Sequence, residues 1–125
     1  MEAIFTDNAP AALGPYSQAI RHGHTLYISG QVGIDPLSGK LKNDSLETEA
    51  HQVMKNIGAV LEKAGIGYSQ IIKCSIFLLD MGRFSEINTI YGSYFKPPFP
   101  SRETVQVSAL PAGAQVEISV VAALD

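Results

Sequence analysis

Apolar residues Leu46, Ala50, Val53, Met54, Ile57, Val60, Leu61 and Ala64 recur at steps of three and four. That spacing lays one stripe along a helix and predicts the first long helix of the chain. Asp44 with Glu47 reads as a capping box at its start, and Gly65 suits the left-handed stop at its end. A second stripe, Phe84, Ile87, Tyr91, Tyr94 and Phe95, predicts a helix from about Arg83 to Phe95, ended by Pro97 and Pro98. Elsewhere the pattern alternates. Residues 17–29, SQAIRHGHTLYIS, read as two strands around a turn at His22-Gly23. DPLSGK is a loop with Pro36 and Gly39 as turn residues. Residues 70–79 form an isoleucine-rich strand, and Thr104–Leu110 and Val116–Ala122 form two more, joined by the turn PAGA.

The last strand separates by face. Val116, Ile118, Val120 and Ala122 fall on one side, and Glu117, Ser119 and Val121 on the other. In the preceding strand Val105, Val107 and Ala109 oppose Thr104, Gln106 and Ser108. The helices are expected to cover the apolar side. The other side suits a half-wet surface or a subunit interface. Strands, helix, strand, helix and strands give an α+β fold: one domain over residues 1–125, a mixed sheet with two helices on one face.

Composition narrows the function. Of 125 residues, 46% are apolar and 17% charged, which supports a single core. A net charge of −3 with nine scattered Lys and Arg gives no basic footprint for nucleic acid. The lone cysteine, Cys74, lies in the apolar run IIKCSIFLL and reads as a buried structural thiol, not a nucleophile. MEAIFTDNAP lacks a basic region followed by an apolar stretch, and no run approaches a membrane span. A cytoplasmic protein is the expectation.

Candidate chemistry centres on PPFPSRETVQV. Its prolines keep the approach to Arg102 rigid and extended, which lowers the entropy lost on binding. A guanidinium fork matches a carboxylate in a way lysine does not. Glu117, mid-strand among uncharged neighbours, needs a partner or a task. Taken alone, Arg102 also fits an inert surface residue and Glu117 a solvated or ion-paired one. Tyr16 in GPYSQA offers a hydroxyl or a flat wall, or simply anchors a turn. Ser29, Gly30 and Gly33 in ISGQVG end a strand where backbone could approach a ligand, although glycines also simply make turns. The segment is not a phosphate loop. His22 and His24 lack the acids or cysteines that complete a metal set, so neither metal nor cofactor is expected; His51 is read as exposed.

Five blocks together resemble the reactive intermediate deaminase family, also called Rid or YjgF: NAPAALGPYSQAI, LYISGQVGIDPLSG, HQVMKNIGAVLEKAG, IIKCSIFLLDMGRFSEINTIYGSYF and PFPSRETVQVSALPAGAQVEISVVA. The resemblance implies a chorismate-mutase-like fold and a homotrimer around a central barrel, with clefts between adjacent subunits. It implies cofactor-free hydrolysis of 2-imino acids such as 2-iminopropanoate and 2-iminobutanoate to 2-keto acids and ammonia. Arg102 matches the family's carboxylate-gripping arginine and Glu117 its water-positioning acid. Tyr16, Ser29, Gly30 and Asn88 match cleft positions, Phe84 an apolar wall, and Thr104 a position where some members carry cysteine. Glu103 departs from the small residue common there. If it faced the cleft, it would repel anionic substrates. A non-catalytic trimeric regulator binding small keto acids, and an endoribonuclease, are the alternatives; the acidic balance counts against the second.

Overall fold

The computed structural model describes all 125 residues. The strands are β1 (Glu2–Ile4), β2 (Ala19–His22), β3 (Thr25–Gln31), β4 (Ile71–Leu78), β5 (Ser101–Gln106) and β6 (Val116–Ala123). The helices are α1 (Leu46–Lys63) and α2 (Phe84–Gly92). One sheet holds all six strands in the order β1-β2-β3-β6-β4-β5. Every neighbouring pair is antiparallel except β4 and β5. α2 is the crossover between those two parallel strands, as parallel pairing demands.

The predicted mixed sheet is therefore found, with both helices on one face. Val116, Ile118, Val120 and Ala122 are buried beneath Val53, Met54, Ile57, Val60 and Leu61 of α1. Each fully buried Leu, Ile or Val contributes about 1.5–3 kcal/mol relative to exposure, so this layer carries most of the stability.

Boundaries shift where caps and tertiary contacts act. Ser45, not Asp44, caps α1: its hydroxyl accepts from the Thr48 N–H at 3.0 Å. Gly65 takes φ +83° and ends the helix as expected. α2 stops at Gly92, short of Phe95, although Tyr94 and Phe95 still pack on the core. β1 has too few residues to show a period. β5 begins at Ser101, three residues earlier than Thr104, and ends at Gln106. The PAGA turn forms at Pro111–Gly113, yet β5 and β6 are not partners, because β4 lies between them.

Three polar residues of α1 are buried. Glu49 accepts from the Gln115 N–H at 2.6 Å and holds the entrance of β6. Asn56 donates to the carbonyls of Val32 and Ile34 at 3.0 and 2.9 Å and accepts from Gln52. These bonds satisfy backbone groups of irregular segments that would otherwise be orphaned inside the protein.

Candidate active site

Arg102, the second residue of β5, lies on the face covered by helices. It lies opposite Cys74 in the β4 register, and Cys74 lies opposite Val120, both buried. The helix-covered face of β5 thus carries Arg102 and Thr104. Val105, expected on that face, is 41% exposed on the other, opposite Phe77. The reason is register: pairing with β4 decides the side, whatever the apolarity of the residue.

α2 supplies the surroundings of the cation. The Arg102 guanidinium carbon stands 5.4 Å from the Phe84 ring centroid and 5.1 Å from that of Tyr91. Both lie within cation–π range. Phe84 therefore lies against the guanidinium. The other two arginines are engaged. Arg21 donates to the Ala64 carbonyl and approaches Glu2, and Arg83 pairs with Glu86 at 2.8 Å. The Arg102 guanidinium makes no ion pair or hydrogen bond within the chain. Its groove, about 310 Å³, is lined with Asn88, Tyr91, Gly92, Phe99 and Pro100. The Thr104 hydroxyl on the same face is buried and unpartnered.

Glu117 belongs to a second cluster. It is half-buried on β6, opposite Phe77, and burial pushes its carboxyl above the usual carboxylate range. Gly30 abuts it so closely that a Cβ there would stand 2.7 Å from Glu117 Cδ. Tyr16 and Gly30 line one crevice of about 20 Å³, and the Tyr16 hydroxyl accepts from the Leu13 N–H at 3.1 Å. Ser29 donates to the Ser17 carbonyl at 2.6 Å, which ties the GPYS loop to β3. Gly33 makes a parallel allowance for Glu49, whose backbone oxygen would lie 2.7 Å from a Cβ. The two glycines of SGQVG each make room for one glutamate.

The two clusters do not meet within one chain. Arg102, Cys74 and Val120 project to the helix side, whereas Val105, Phe77 and Glu117 project to the open side. Tyr16, Ser29, Gly30 and Glu117 thus form one half, and Phe84, Asn88, Arg102 and Thr104 the other. Glu103 lies on the open side, away from Arg102. Its carboxylate takes a hydrogen bond from Ser75 and stands 3.3 Å from Lys73, and these contacts hold it below the usual range. The repulsion considered from the sequence does not arise within the chain.

Two residues that support this arrangement were missed. Gln18 of GPYSQA is buried and binds the backbone of Thr6, Ala9 and Pro10, so it fixes the loop before Tyr16. Tyr91 was counted only as core. Its spacing from Phe84 and Asn88 was the available signal, since positions 84, 88 and 91 share a helix face.

The family model described as Endoribonuclease L-PSP matches residues 6–124. A mouse 2-iminobutanoate/2-iminopropanoate deaminase is 46% identical over 121 residues, 97% of this chain and 90% of that protein. Reactive Intermediate Deaminase A, chloroplastic, of Arabidopsis thaliana is 45% identical over 98% of this chain, which spans 66% of the plant protein. A crystal structure of a Rid-family protein from Yersinia pestis superimposes with a TM-score of 0.94 at 50% identity, covering 98% of both chains. With a match of this extent in sequence and in fold, the chain belongs to the Rid/YjgF family of reactive intermediate deaminases.

Proposed function

We propose that the chain hydrolyses reactive 2-imino acids to 2-keto acids and ammonia. One observation carries the reading: Arg102 is the single arginine without an internal partner, and its groove holds an unengaged amide at Asn88. A small carboxylate completes that arrangement by bidentate pairing. The named relatives supply the reaction.

In the proposed chemistry, Arg102 holds the substrate carboxylate and so orients C2. Glu117 orients a water and takes its proton as oxygen bonds to C2 of the protonated imine. Glu117 returns that proton to the carbinolamine nitrogen, the C–N bond breaks to release ammonia, and the hydroxyl proton passes to the departing ammonia as the C=O bond of the keto acid forms. The raised pKa of Glu117 suits a base. Tyr16 and the backbone near Ser29, Gly30 and Thr104 offer fixed dipoles.

Because Arg102 and Glu117 occupy opposite faces, the cleft joins two copies: one gives Arg102, Asn88 and Thr104, its neighbour Glu117, Gly30 and Tyr16. We assign the assembly as a homotrimer. The open sheet face supports self-association, since Tyr27 of β3 lies exposed on it, as does Val105 of β5 beside Phe77. No helix is long and apolar enough to cross a membrane.

The test is a coupled assay. A pyridoxal-phosphate dehydratase generates 2-iminobutanoate from threonine, and its decay is followed with and without the chain. Acceleration is expected, with Arg102→Ala losing on the order of 10²-fold while remaining assembled. Full activity in that variant rejects the clamp. Binding of 2-oxobutanoate without accelerated decay favours the regulator reading. The family description names a ribonuclease. RNA cleavage that resists purification and is lost in Arg102→Ala is the outcome that would restore that alternative.

A further inference from the structure

We propose that Tyr91 is a positioning residue for Arg102, holding the guanidinium in one plane so that all its donors stay free for a ligand carboxylate. The inference rests on the carboxylate-binding role given to Arg102 above.

Phe84, Asn88 and Tyr91 stand at i, i+4 and i+7 of α2 and share the face that meets β5. The two rings lie against the guanidinium carbon at 5.4 and 5.1 Å. A guanidinium donates hydrogen bonds only in its plane, at its edge. Rings that engage the π surface restrain it without consuming a donor. An internal carboxylate would restrain it as well, but would neutralise the charge and occupy the fork that the substrate needs. None is present: Glu103 is committed to Lys73 and Ser75 on the far side of β5, Glu117 also lies on that far side, and Glu86 of α2 is committed to Arg83.

Tyr91 is also kept from becoming such an acid. It is 6% exposed, and its buried hydroxyl lies beside the Cys74 thiol, a weak hydrogen-bond partner. Burial and the neighbouring Cys74 thiol push the phenol far above its ordinary value, although the charge of Arg102 draws it back in part. Tyr91 therefore stays neutral and presents a ring, not a counter-ion. Cys74, cross-strand from Arg102 and fully buried, completes the floor.

The experiment measures 2-oxobutanoate binding by calorimetry on the assembled protein, together with KM and kcat in the imine assay. Tyr91→Leu removes the ring and is expected to weaken binding and raise KM roughly tenfold, with kcat changed far less. Tyr91→Phe keeps the ring and restores both. Wild-type affinity in a folded Tyr91→Leu protein overturns the proposal, as does an equal loss in Tyr91→Phe. If Tyr91→Leu fails to assemble, Phe84→Leu probes the second ring with the same expectation. NMR of the unaltered protein gives a reading free of folding effects. The Arg102 side-chain protons should be shifted upfield by the ring currents, and unshifted signals refute the clamp. Should Arg102→Ala bind 2-oxobutanoate as well as the wild type, the carboxylate role itself falls. If Arg102→Ala loses binding while Tyr91→Leu keeps it, only the positioning role falls.

Discussion

Glu117 lies where ionisation is costly, and that cost links stability to activity. Burial raises its folded pKa above the unfolded value. A group of this kind contributes its full stability below the unfolded pKa, about 4.3, and loses it as pH rises through the folded value. Glu117→Gln escapes that loss. The variant should melt higher than the wild type at pH about 8 and equally at pH about 4, while turning over far more slowly. Thermal melts at the two pH values check the first half. For activity, the base form is required, so kcat/KM should fall as pH drops through the raised pKa. The wild type shows that acid limb, and Glu117→Gln should lack it. Gly30 and Gly33 divide in the same spirit. A Cβ at Gly30 meets the Glu117 side chain first and no backbone atom as closely, so Gly30→Ala should keep the fold and cost kcat/KM on the order of 10²-fold by displacing the carboxylate. A Cβ at Gly33 meets the helix backbone at Glu49, so Gly33→Ala should destabilise by about 1–3 kcal/mol in urea denaturation.

At the scale of elements, α1 does two tasks with two stripes. The apolar stripe was legible because its period is helical and its residues can do little but pack. The polar residues Glu49, Gln52 and Asn56 were not, because polar residues in a helix ordinarily mark its solvated side. Here Asn56 and Glu49 face backbone groups of the 32–34 segment and the start of β6, and Gln52 donates to Asn56. Glu49→Ala strips the Gln115 N–H of its acceptor and should cost about 3 kcal/mol, read from the midpoint and slope of urea unfolding. β5 shows the converse failure. Its alternation was visible, but the apolar side is not the covered side. As an edge strand held by β4 alone, it takes its facing from that register, with Arg102 turned toward the rings of α2.

At the scale of the whole molecule, the two halves of the candidate site lie on opposite faces of one sheet, and the shared-cleft reading has a direct consequence. Arg102→Ala and Glu117→Gln chains, each inactive alone, should complement when unfolded together and reassembled. With random mixing, about a quarter of the clefts draw Arg102 and Glu117 from different, intact donors, so about a quarter of wild-type activity should return. Mixing the two folded proteins without reassembly serves as the control, and no recovery after reassembly would place both residues in one chain's site. The amino-acid sequence by itself determined the helices, the apolar face of β6 and, through its family motifs, the residues worth testing. These are local properties, set by period, turn chemistry and side-chain type. The tertiary structure alone decided that β4 separates β5 from β6, that Arg102 sits against Phe84 and Tyr91, and that Glu117 and Glu103 turn away from it. Those outcomes depend on which distant strands pair and in what register, and a slip of one residue reverses every side chain, so no local pattern contains them.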